Sequence, residues 1–133
     1  MATPELMRAA PESMVPELEA YIASNPDNAA AHFRLGQLYH SAGDRENALV
    51  HLAEAVRLSP SDLGARKMLA DFQCVELGDL ESALTNYVRI LDLDPRNVEN
   101  LTILGNIALS MSRFGEATKF FSAIARLGES LRL

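Results

Sequence analysis

Its 133 residues, 48% hydrophobic and 23% charged, have the composition of one globular domain and exclude a disordered chain. Twelve basic residues against 18 acidic ones leave a net charge of −6; with only two lysines, Lys67 and Lys119, and no basic cluster, a nucleic-acid partner is not expected. A lone Cys74 excludes an internal disulfide, and with no secretory leader at Met1–Arg8 and no apolar run long enough to span a membrane, a reducing, cytoplasmic location is expected.

In chain order, residues 1–12 read as an N-terminal extension, with a short turn at 4–10. A leading helix follows at 13–25 and ends at Pro26. Helices are then predicted in pairs, at 29–42 and 45–58, at 62–77 and 79–93, and at 97–111 and 113–127. Apolar residues fall at helical spacing in Leu49, Leu52, Val56, in Leu80, Leu84, Tyr87, Leu91, and in Leu101, Leu104, Ile107, Ala108. No long run alternates with period two, so the fold class is all-α.

The pairs are copies of one another. Pro26, Pro60 and Pro95 lie 34 and 35 residues apart, and each is followed by an Asp or Asn able to cap the next helix. At mid-period, Gly43-Asp44 and Gly78-Asp79 supply a left-handed helix end and a cap. The third copy has Ser112 where the turn glycine is expected. Leu35-Gly36, Leu69-Ala70 and Leu104-Gly105 recur at the same phase, as do Ala48, Ala83 and Ala117. Glycine inside a helix costs about 1 kcal/mol against alanine, so its recurrence points to close helix approach.

These residues resemble the tetratricopeptide repeat, a 34-residue helix–turn–helix unit. The first copy, 29–62, carries Leu35-Gly36, Tyr39, Gly43, Ala48, Leu52, Ala55 and Pro60, with His32 where the family often has Trp. The second, 63–97, carries Leu69, Ala70, Gly78, Ala83, Tyr87 and Pro95, with one extra residue between Ala70 and Gly78. The third, 98–131, carries Leu104, Gly105, Phe114, Ala117 and Phe121, and lacks the closing Pro. Residues 13–28 keep phase with the second half of a repeat.

The resemblance implies a right-handed α-solenoid of antiparallel helix pairs, with first helices lining a concave groove that binds a peptide segment. Helical phase puts Phe33, Arg34, Gln37, His40, Lys67, Asp71, Thr102 and Asn106 on that groove. Some members clamp the C-terminal carboxylates of chaperones with Lys, Asn and Arg. The matching positions here are Phe33 and Gln37, Met68 or Lys67, and Glu99 and Ile103, an acid among mainly neutral side chains, which does not supply the charge-assisted bonds needed to chelate two carboxylates.

No catalytic or cofactor constellation emerges. None of His32, His40 and His51 has a His or Cys partner four residues away, so no metal is expected, and His51 with Glu54 reads as a solvated pair. Cys74 has no base among its sequence neighbours, and the seven glycines are isolated. The last helix carries Phe120, Phe121, Ile124 and Leu127 with no further helix to cover them, which suggests self-association or continuation into a longer protein. The expected function is therefore a non-enzymatic protein–protein interaction scaffold, possible as a homo-oligomer. A secretion-type chaperone and an oligomerisation module of a larger protein stand beside it.

Overall fold

The computed structural model describes residues 11–131. Among the described residues seven α-helices run in chain order: α1 (Pro11–Ser24), α2 (Ala29–Ser41), α3 (Arg45–Leu58), α4 (Leu63–Asp71), α5 (Leu80–Leu93), α6 (Val98–Ser110) and α7 (Phe114–Leu131). Among the described residues there is no strand. The leading helix starts at Pro11, two residues before the sequence boundary, and contains Pro16. The turn expected at 4–10 lies outside the described residues.

The expected caps form. Asn28, Asp44, Asp62, Asp79 and Asn97 each accept a hydrogen bond from the backbone N–H three residues on, at 2.9–3.1 Å. Helix ends follow the glycines. Gly43 and Gly78 have φ of 80° and 63°, in the left-handed region. Ser112 adopts the same conformation, φ 58°, without being glycine. The bonding is conserved with it: Asp44 N–H donates to Tyr39 O and Gly43 N–H to His40 O, just as Arg113 N–H donates to Ala108 O and Ser112 N–H to Leu109 O. Turn geometry has thus survived the loss of the residue that makes it cheap.

The helix predicted at 62–77 is not uniform. It is α-helical to Asp71 and then π-helical over Phe72–Glu76, where Leu77 N–H reaches back five residues to Phe72 O at 3.2 Å. This wide turn absorbs the extra residue of the second copy, so Ala70 and Gly78 both keep their places in the pattern. Gln73 fixes it: its side chain accepts from Asn86 Nδ2 at 2.7 Å and its backbone carbonyl from Asp79 N–H at 2.8 Å.

The chain divides between Ala65 and Arg66 into two compact units. In the first, α2 packs against α3, and α1 packs against α2, over a core that includes Leu35, Leu38, Leu52 and Ala55. In the second, α6 packs against α7 and α5 against α6, over Leu69, Tyr87, Leu101 and Leu104. The recurrent glycines sit at these contacts. A Cβ on Gly36 would lie 2.8 Å from Leu52, and one on Gly105 would lie 2.5 Å from the Phe121 ring.

Candidate functional site

In the first unit, α2 is long enough to place Ala30, Phe33, Arg34 and Gln37 along one face, at intervals of three and four residues. Phe33 lines an open pocket of about 310 Å³ with Ala29, Ala30, Ala55, Ser59, Asp62 and Ala65. The alanines leave the space, and the walls are mostly apolar with Ser59 and Asp62 as polar exceptions. Arg34 is exposed; Gln37 and His40 are half-buried.

In the second unit, Lys67 donates to Asp71 at 2.8 Å and lies 3.7 Å from Glu99. The bond to Asp71 raises the Lys67 pKa, against the effect of burial. Asp71 also accepts from the Tyr87 hydroxyl. Burial first, and Asp71 second, push Tyr87 well above the ordinary phenol range. The resulting face carries one cation between two carboxylates. Beside it a 70 Å³ pocket is lined by Lys67, Ile90, Asn97, Glu99, Asn100 and Ile103. Of the residues expected here, Asn106 is exposed, whereas Thr102 is half-buried and donates to Val98 O in its own helix. Asn100, which the phase argument did not single out, is buried and donates to Tyr87 O at 3.0 Å. Val75, swung outward at the π-helical turn, is 78% exposed, and Cys74 beside it is half-buried.

The reading of His51 with Glu54 as a solvated pair is corrected. The His51 side chain is 13% exposed, and its Nδ1 lies 3.0 Å from Nδ1 of buried His32. Glu54 pairs instead with Arg57, whose side chain lowers its pKa. Tyr39 stacks on His51 with centroids 5.7 Å apart and donates its hydroxyl to Glu19 of α1. That bond is the largest cause raising the Tyr39 pKa to about 12. The sequence held a sign of this: His51 stands three residues after Ala48 and four before Ala55, on the packed face of α3.

On α7, Phe120, Phe121, Ile124 and Leu127 are all half-buried, with the Phe121 ring seated over Gly105. The well-exposed aromatic of this region is Phe114, at 64%. Among the described residues, no group of three or more His, Cys, Asp or Glu is placed to hold a metal ion, and no helix is long and apolar enough to cross a membrane.

Models of the tetratricopeptide repeat match residues 8–72 and 75–131. The break between them falls inside the π-helical turn. A stretch of 46 residues is 41% identical to cellulose synthase operon protein C of Escherichia coli K12, and equally to its putative counterpart in Escherichia coli O157:H7. That stretch is 35% of this chain and 4% of those proteins, so the chain spans a small part of the curated relatives it matches. Among solved structures, MamA is similar with a TM-score of 0.76 at 18% identity, over 92% of this chain and 71% of MamA. A tetratricopeptide repeat protein from Parabacteroides merdae is similar with a TM-score of 0.77 at 24% identity, over 90% of this chain and 47% of its own. These structural likenesses concern the fold alone. Together with the capped helix pairs and the glycine contacts, the family matches lead to one conclusion: the chain belongs to the tetratricopeptide repeat family.

Proposed function

We propose that this chain is a protein–protein interaction scaffold that takes a peptide segment against its first helices. Arrays of this repeat offer extended binding surfaces to other proteins. The observation that carries the reading here is the open, alanine-walled pocket at Phe33. Its 310 Å³ is large enough for an apolar side chain, and Ser59 and Asp62 beside it can accept hydrogen bonds from a peptide backbone. Exposed Arg34 and Asn106 and half-buried Phe33, Gln37, His40, Lys67, Asp71 and Thr102 supply mixed polar and apolar contacts on the two units. Neither face has the concentrated positive charge that would select an acidic C-terminus. Capture of a partner by the intact chain, compared with a chain carrying Arg34→Glu, Gln37→Glu and Asn106→Glu, tests this. Capture falls at least about tenfold if these faces bind, since three altered contacts of about 0.5 kcal/mol or more together exceed 1.4 kcal/mol. Unchanged capture moves the binding site elsewhere.

A further inference from the structure

In the second unit one buried side chain keeps a polar atom that the fold does not use. Asn100 is 4% exposed. Its backbone N–H donates to the Asn97 cap at 2.9 Å, and its Nδ2 donates to Tyr87 O at 3.0 Å. A carbonyl can only accept, so the amide nitrogen is the atom turned to Tyr87, and Oδ1 points the other way. Among the described residues nothing donates to that oxygen. Asn100 lines the small pocket beside Lys67, so Oδ1 is the acceptor it offers to whatever enters there.

The pocket, of about 70 Å³, grades from a buried floor to a charged mouth. Ile90 is buried like Asn100, Ile103 and Asn97 are half-buried, and the Glu99 side chain is 71% exposed. Its size suits the end of one side chain and not a larger ligand. Its charge is equally defined. Lys67 is tied to Asp71 at 2.8 Å, whereas Glu99 lies 3.7 Å from Lys67, beyond hydrogen-bond distance. One cation with two carboxylates leaves a net negative charge, and Asp94 and Arg96 in the turn before α6 cancel each other. The groups left for a ligand are two acceptors, Asn100 Oδ1 and the Glu99 carboxylate, beside two isoleucines.

We propose that this pocket takes a lysine side chain of the bound peptide, with the stem along Ile90 and Ile103 and the ammonium shared between Asn100 Oδ1 and Glu99. The proposal rests on the scaffold reading and specifies its partner, a lysine-bearing segment. An ammonium carries three donors and no acceptor, which matches a site whose unused groups are acceptors. Its flexible methylene stem packs on apolar walls while the charged end stays polar. An acidic side chain would set like charge against Glu99 and leave Oδ1 without a donor. An apolar one would also leave Oδ1 unmet, and would cover it.

The test reads the pocket first without a peptide. n-Butylammonium chloride, the lysine side chain without its backbone, is titrated into the full chain near pH 7 at constant ionic strength, against neutral N-butylacetamide. NMR follows the Asn100 side-chain amide and the Ile90 and Ile103 methyl groups. These signals are expected to shift and saturate with butylammonium and to stay in place with N-butylacetamide. In Glu99→Gln, an exposed position where the fold is kept, butylammonium is expected to bind about tenfold more weakly, the effect of losing one charge-assisted hydrogen bond. No shift at these groups, equal response to both compounds, or unchanged affinity in Glu99→Gln overturns the proposal. A library of N-terminally acetylated peptides then separates this claim from the scaffold reading. Peptides selected by the intact chain are expected to lose about tenfold in affinity when their lysine is acetylated. Selected peptides that bind with no dependence on lysine overturn the lysine assignment and leave the scaffold standing. A pocket that answers butylammonium in a chain that selects no peptide supports the ammonium site and counts against the scaffold.

Discussion

Gly36 in α2 and Gly105 in α6 hold the same phase of two helix pairs, yet they are not equivalent. Gly36 faces Leu52, which is fully buried and offers its backbone nitrogen at 3.1 Å as well as its side chain at 2.8 Å. Gly105 faces the outer edge of the Phe121 ring, and Phe121 is half-buried. One neighbour cannot move and the other can swing toward solvent. Identical sequence signals therefore carry different energetic weight, set by the freedom of the residue opposite.

Several substitutions break or sharpen that contrast. The largest expected effect is at the immovable partner: Leu52→Ala removes a fully buried side chain and should cost about 3 kcal/mol in denaturant unfolding. Gly36→Ala comes next. Overpacking against Leu52 outweighs the gain in helix propensity, for a net loss of about 2 kcal/mol. Gly105→Ala should lose less than about 1 kcal/mol, because propensity offsets a ring displacement. Equal losses at both glycines in urea titrations would remove the distinction.

The turns offer a smaller comparison. Ser112 stands left-handed where Gly43 and Gly78 do so freely, so Ser112→Gly should raise stability by about 1 kcal/mol and Gly43→Ser lower it by about as much. A destabilised Ser112→Gly would mean that the serine hydroxyl has a role in this turn.

The smallest effect is confined to high pH and to the first unit. The Tyr39 pKa is raised from 10.0 to about 12, so its contribution is complete below pH 10 and is lost as the pH rises toward 12. Thermal unfolding of Tyr39→Phe should fall less steeply across that range than that of the natural chain. Parallel curves would disconnect Tyr39 from Glu19.

Much of this fold was legible in the sequence, because the signals were local. Prolines spaced by 34 and 35 residues, with Asp or Asn behind them, marked every inter-pair turn, and the caps formed at those residues. The extra residue in the second copy was visible as well, but its resolution as a π-helical turn depends on Gln73 meeting Asn86 on another helix. The His32–His51 bond was missed for the same reason: 19 residues separate the rings, and helical phase on α3 alone gives burial but not the identity of the partner. Helical phase on α6 did not reveal that Thr102 satisfies its hydroxyl within its own helix. Long-range pairing of polar side chains is where sequence periodicity runs out.

Site-specific photo-crosslinking tests the binding claim most directly. A photoreactive residue is placed at Arg34 or Asn106 on first helices, or at exposed Val50 or Val88 on second helices, and the crosslinked partner is mapped by mass spectrometry. Peptide adducts from Arg34 and Asn106, with none from Val50 or Val88, are the expected result. Adducts from the second-helix positions alone would contradict it.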